Sequence, residues 1–171
     1  MNREAGRNPM VNFTDAQIAQ AEEIALSIAK PFEGFEPNPY PDPGTGAEPW
    51  AIGFGSTHDA SDKPVTPQTP AISYSDACDL AMRDMYRAFQ AIAGEISAPM
   101  TMHEIAAVMD FVYNVGAGNF SNSTLLRMIN AKQYSLAADQ FERWDQAAGK
   151  VMAGLLRRRL AEEEIFNTRD A

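Results

Sequence analysis

Glu33 and Asp42 are the side chains whose type and spacing first suggest chemistry. They lie within FEGFEPNPYPDPGTGAEPWAIGFGS, residues 32–56, where an acidic residue at the end of an expected helix is followed, nine positions on, by another in a turn rich in proline and glycine. Two carboxyls on different local elements can face each other across a groove. Such a pair suits cleavage of a glycosidic bond, one protonated carboxyl serving as acid and one carboxylate facing the water or the sugar. Spacing alone does not single the pair out, because 23 acidic residues supply many such pairs, most of them solvated surface groups.

The elements that must position these residues are legible in outline. Thr14 and Gln17 form a capping box, and Ile18, Ala21, Ile24, Ala25 and Ile28 recur at helical spacing, predicting a helix over 14–29. Pro31 is expected to end or kink it, leaving Glu33 at or just past its C-terminal end. Residues 38–59 read as turn-rich, with the clearest strand at Trp50–Phe54; Gly44, Gly46, Gly53 and Gly55 suit tight hairpins. Ser73 and Asp76 cap a helix that reaches about Ala93, and Thr101 and Glu104 cap another running toward Tyr113. Further helices are expected at Ser123–Asn130, Ser135–Trp144 and from about Lys150 to Phe166.

This order predicts an α+β fold in a single domain over 1–171. A small N-terminal lobe, about 30–72, carries the β-hairpin. Helix 73–93 joins it to a mainly helical C-terminal lobe, about 95–167, on which helix 14–29 packs. At 171 residues the chain can bury a core without covalent staples. Cys78 is the only cysteine and reads as a small apolar residue in a helix; two histidines and one cysteine, far apart, predict no metal and no cofactor. Met109, Met128 and Met152 read as core filler, and Trp50 and Trp144 as packing residues. The net charge of −9 argues against a nucleic acid partner. The first residues hold no apolar run of signal-peptide length and nothing approaches a membrane span, so synthesis in the cytoplasm is expected, without stable membrane insertion.

Three blocks of residues, in order, resemble the phage-type lysozymes of glycoside hydrolase family 24. The first is Glu33-Gly34, Tyr40-Pro41-Asp42 and Trp50-Ala51-Ile52-Gly53-Phe54-Gly55; the second is residues 111–116, FVYNVG, with 120–126, FSNSTLL, and Asn130; the third is residues 154–159, GLLRRR, with Glu162 or Glu163 after it. The resemblance implies a lysozyme-like fold, with Glu33 as general acid and Asp42 as the second carboxyl, orienting water. It assigns Arg158 to a place behind the glutamate and Asn114 to the groove floor; Arg158 paired with Glu162 along the helix surface is the plainer alternative. Ser123 could contact sugar or cap its helix. Ala51 departs from the family's threonine, whose hydroxyl helps hold the attacking water. Ser56, where many relatives carry histidine, is a second departure and a candidate supporting oxygen beside Thr45, Glu48 and Thr57; His58 is a weaker candidate for compensation.

The activity so implied is that of a muramidase, an endolysin cutting the β-1,4 bond between N-acetylmuramic acid and N-acetylglucosamine in peptidoglycan. It would stay in the host cytoplasm as a monomer until a holin releases it to the periplasm or cell wall. A lytic transglycosylase using the same Glu33 and a non-catalytic wall-binding protein are the alternatives. The acidic balance sits awkwardly with an anionic wall, and the run Arg157–Arg159 is the only dense basic group to offset it.

Overall fold

Three helix starts follow from reciprocal side-chain caps, and they set the frame of the molecule. The computed structural model describes residues 13–43, 45–147 and 149–169. Helices α1 (Asp15–Glu33), α2 (Tyr74–Ala93) and α3 (Met102–Val115) each begin at an expected box. In α2, for example, Ser73 Oγ accepts from the Asp76 amide at 3.1 Å while the Asp76 carboxylate accepts from the Ser73 amide at 3.1 Å. These bonds answer amides that the helix itself leaves unpaired.

α1 overruns its expected end. It continues past Ala29 and through Pro31 to Glu33, and stops at Gly34, whose φ of 70° suits glycine. Pro31 sits in the last turn, where its missing N–H removes one bond near an end that is already short of partners. Ala25, Leu26, Ile28 and Ala29 are buried and hold the last turns in place.

Next comes a two-stranded antiparallel ribbon, β1 (Glu36–Pro41) with β2 (Trp50–Gly53). β1, with prolines at 37, 39 and 41, is a strand the sequence pattern does not announce. The backbone alternation explains it. Pro37 turns its carbonyl away from β2, to the Ile72 amide at 3.0 Å, whereas the Asp42 amide points at β2 and donates to Pro49 O at 3.0 Å. Pro37 and Pro39 moreover fall where the register with β2 is irregular, between Glu36 and Tyr40, a place that tolerates a missing N–H. Gly44, expected in the turn, lies outside the described residues.

α3 is the hub. Ile105–Val112 are all buried, including Asp110, which makes α3 a helix enclosed on every side. Around it pack α1, α2 and α7 (Ala153–Phe166), with α4 (Ala117–Ser121) against its end. Phe111 meets Phe141 edge-on at 5.4 Å and Trp144 at 5.5 Å. α5 (Thr124–Asn130) and α6 (Tyr134–Ala138) complete this side. The single helix expected over Ser135–Trp144 is broken into α6 and a 3₁₀ turn at Phe141–Trp144. The last helix starts at Ala153 rather than Lys150, because β3 (Gln146–Ala147) and β4 (Lys150–Val151) form a small ribbon first. Met109 is core and Met128 packs partly, but Met152 is exposed.

A second, smaller apolar cluster of Ile52, Val65 and Leu80 underlies the β1–β2 ribbon. α2 serves both cores, giving Leu80 to the small one and Met85 and Phe89 to the large one. Gly53 lets the ribbon approach α2: its φ is 68°, and a Cβ there would lie 2.9 Å from Ala77 Cβ. No helix among the described residues is long and apolar enough to cross a membrane.

Gly53→Ala should therefore cost about 2–4 kcal/mol, from left-handed backbone strain plus overpacking. Urea unfolding of the two forms measures this, and an unchanged midpoint would show that the ribbon does not need this close approach.

Candidate active site

Glu33 is the last residue of α1, with its side chain 26 % exposed. Arg158 of α7 reaches it from the interior, Nη1 donating to Oε1 at 2.5 Å. Among the described residues Arg158 is the hydrogen-bond partner of this carboxylate, so Oε2 is left for other work. Arg158 is itself only 3 % exposed and is fixed from behind. Its Nε and Nη2 donate to the two oxygens of Asp110 in α3, at 3.0 and 2.7 Å. This bidentate fork fixes the guanidinium plane, and hence the direction of the remaining nitrogen.

Arg159, fully buried, continues the network: Nη2 donates to Glu162 Oε1 at 2.7 Å and to Asn114 Oδ1 at 2.8 Å. Its guanidinium lies 4.9 Å from the Phe111 ring centre. Asn114 is thereby tied to the site through Arg159 and lies within the last turn of α3, since Gly116 is the cap. Burial works against the charge on Arg158, but the bonds and charges of Asp110 and Glu33 outweigh it and hold its pKa above the ordinary value. Arg159 is pushed down by burial, with Arg158 adding and Glu162 opposing. Glu162 is pushed well above the carboxylate range, first by burial and then by the charge of Asp110, against the pull of Arg159 and Arg158.

The ribbon side joins through two tyrosines. Tyr113 of α3 donates its hydroxyl to Phe54 O at 3.0 Å. A Cβ placed on Gly55 would be 3.9 Å from the hydroxyl oxygens of both Tyr113 and Tyr40. Both phenols titrate high, through burial first and then the charge of Glu33. The ends of α1, α3 and β2 thus converge.

Ala51 stands directly opposite Tyr40 in the ribbon and shares its face. Asp42, two residues past Tyr40, lies just beyond the end of β1, in the turn. Its amide donates to both Ala47 O and Pro49 O at 3.0 Å, and its Oδ2 accepts from the Thr45 amide at 3.1 Å. Asp42 therefore holds its own turn with one oxygen.

Ser56 and Ser123 are taken up by local backbone structure. Ser56 is buried, exchanges backbone hydrogen bonds with Ile52 and leaves Oγ without a partner among the described residues. Ser123 is buried and caps α5, accepting from the Leu126 amide at 3.1 Å. His58 bonds the neighbouring Thr57 hydroxyl at 3.1 Å. A hollow of about 680 Å³ between Thr101, Tyr134 and Phe166 shares no residue with the Glu33 network.

Two sequence expectations change. Arg158 and Glu162 do not make a surface pair: they approach to 3.8 Å, both buried, and the stronger partners of Arg158 are Asp110 and Glu33. The run Arg157–Arg159 is not a basic surface patch, because only Arg157 is exposed. Asp110, Arg159, Tyr40 and Tyr113 were not singled out as site residues. The signal for Asp110 is visible in retrospect: it is one ionisable residue in an otherwise apolar run, and a charge at such depth requires a partner.

A fold with a β-ribbon ahead of a mainly helical region, and a helix-end glutamate held by a buried arginine, defines a lysozyme-like class. The family model for phage lysozyme matches residues 30–162, and the chain belongs to that family. The endolysin of Bacillus phage PZA is 34 % identical over 152 residues, covering 89 % of this chain and 55 % of its own length. The chain thus spans about half the length of that relative, and 53 % of the endolysin of Bacillus phage B103. Among solved structures, a phage P22 lysozyme variant superposes with a TM-score of 0.74 at 28 % identity, covering 84 % of this chain and 95 % of its own. The muramidase domain of SpmX from Asticaccaulis excentricus gives 0.70 at 28 % identity, covering 85 % and 95 %.

Asp110→Ala strands Arg158 in the interior and should destabilise the protein by about 3–5 kcal/mol. Chemical denaturation reads this directly, and a loss below ~1 kcal/mol would mean that water or another group replaces the carboxylate.

Proposed function

We propose that the chain is a muramidase that hydrolyses the β-1,4 bond between N-acetylmuramic acid and N-acetylglucosamine in peptidoglycan. The supporting observation is the hold on Glu33: one oxygen is tied to a guanidinium that Asp110 fixes from behind, and the other is left for chemistry. Glu33 delivers a proton to the leaving glycosidic oxygen as the C–O bond breaks. Water adds to the anomeric carbon, and Asp42 orients it and takes up its proton, the outcome being inversion. Asp42 has an oxygen beyond the one that closes its turn, and it lies two residues past Tyr40, whose phenol senses the charge of Glu33. Asn114 and Arg159 stiffen the support from α3 and α7. Family membership supports the further reading of a phage or prophage lysis enzyme, acting as a monomer once a holin admits it to the wall.

Glu33→Gln should fold and bind wall material yet lose nearly all turnover, because an amide has no proton of this kind to give. A folded Glu33→Gln protein that lyses cells at close to the normal rate would sink the assignment.

Ala51 favours a second reading. A methyl on the Tyr40 face neither donates nor accepts. A lytic transglycosylase needs no bound water, since the muramoyl 6-hydroxyl attacks and leaves an anhydro end. Product mass separates the two, as transglycosylation gives fragments lighter by one water. If hydrolysis runs with poorly held water, Ala51→Thr should raise its rate by roughly five- to a hundredfold, the equivalent of about 1–3 kcal/mol of hydrogen bonding. An unchanged or slower Ala51→Thr enzyme would mean that another oxygen already holds the water.

A further inference from the structure

Two guanidiniums and three carboxyls meet where α1, α3 and α7 join: Arg158 and Arg159 against Glu33, Asp110 and Glu162. Asp110 and Glu162 are both 0 % exposed and both lie against Arg158 Nε, so ionising both would set two like charges side by side in the interior whatever the state of Glu33. An uncompensated charge at that depth is strongly destabilising. Glu162 Oε1 accepts from Arg159, whereas Oε2 is buried and has no partner among the described residues. A carboxylate oxygen can only accept, but a protonated one donates. Asp110 Oδ2 and Glu162 Oε1 both approach Arg158 Nε, at 3.0 and 3.8 Å, and the Asp110 oxygens keep lone pairs beyond those used by Arg158.

We propose that Glu162 is a positioning residue: it is the neutral member of the cluster, its Oε2–H donates to the Asp110 carboxylate, and this bond keeps Arg158 turned toward Glu33. An ionised Glu162, already 3.8 Å from Arg158 Nε, would instead compete for the guanidinium. The charged groups around Glu162 are Asp110 from α3, Arg158 and Arg159 from α7 itself, and Glu33 of α1 through Arg158; Glu142 of the 3₁₀ turn faces Glu163. The consequence for turnover rests on the reading of Glu33 given above, while the proton itself rests on the cluster alone.

The sign of the pH effect follows from linkage. The unfolded chain releases the Glu162 proton near its ordinary value of about 4.3, and the folded protein keeps it to higher pH. The unfolded state then binds fewer protons, so stability is full below that value and declines as pH rises toward the folded pKa.

The experiment compares wild type, Glu33→Gln, Glu162→Gln and Glu162→Leu. At about pH 7, where an ordinary glutamate is ionised, infrared spectra should show the carbonyl stretch of a buried protonated carboxyl in wild type and Glu33→Gln, and lose it in Glu162→Gln. Above about pH 5 the folding constant of the wild type should fall relative to Glu162→Gln by about tenfold per pH unit. Glu162→Gln, whose amide can both donate and accept, should keep kcat within about fivefold of wild type. Glu162→Leu fills the space without donating and should lose about tenfold or more in kcat with little change in KM.

A missing band in the wild type, its survival in Glu162→Gln, or failure of Glu162→Gln to fold would each overturn the proposal. Wild-type kcat in Glu162→Leu would end the positioning role. The spectra and the folding constants need no activity, so a protein that cleaves no wall glycan would refute the muramidase reading separately.

Discussion

The Arg158 guanidinium is the point on which α1, α3 and α7 agree. It leaves α7, is clamped by Asp110 of α3 and reaches the last residue of α1. Burying such a cation carries a desolvation penalty of several kcal/mol, which attraction offsets only when the geometry is good and the remaining donors are satisfied. Here the fork to Asp110 supplies that geometry, and the third direction of the guanidinium is what the site uses. The interaction is thus a poor choice for stability alone and a good one for aim. Apolar residues of similar volume would fill the junction at lower electrostatic cost, but would leave Glu33 free to rotate.

Much of this frame is legible in residue order, and the rest fails for identifiable reasons. Three capping boxes announce α1, α2 and α3, because a cap is a local hydrogen-bond problem solved within four residues. Pro31 misleads, since its local cost is small in a last turn that packs on the core. β1 is missed because a proline-rich segment looks unlike a strand until one knows which edge faces its partner. The break between α6 and the 3₁₀ turn depends on Phe141 turning in to meet Phe111, a contact between distant positions. For the site, Glu33 and Asp42 stand out through carboxyl chemistry and resemblance. Asp110 needs the tertiary structure, because only the α3–α7 packing shows which cation it answers.

The ribbon presents a different constraint. Its position is set by what is absent at two glycines. Gly53 allows α2 to come close, and Gly55 sits where the hydroxyls of Tyr40 and Tyr113 converge. Tyr113 then ties α3 to the ribbon through Phe54 O. These contacts set the face that carries Tyr40 and Ala51 relative to the end of α1, without any direct bond from the ribbon to Glu33 among the described residues. The turn and the carboxyl of Asp42 are therefore coupled: the oxygen that accepts from Thr45 orients the carboxyl, and a change in the turn would be felt at its other oxygen.

Charge distribution completes the picture. With Arg158 and Arg159 drawn inside, the densest basic segment of the sequence contributes little to the outer field, while a net charge of −9 remains. Other cations are also engaged locally: Arg83 holds the His58 and Asp59 carbonyls, and Arg87 pairs with Asp62. An acidic surface approaching an anionic wall is repelled over a Debye length of about 10 Å at roughly 0.1 M salt. Attraction by a basic triplet is not available to offset that repulsion. On the proposed activity, recognition of a glycan strand rests on short-range contacts with neutral sugar groups, which act inside the screening distance. The charge of the buried arginines is instead directed inward, where Arg158 holds the Glu33 carboxylate, and so is withheld from the surface.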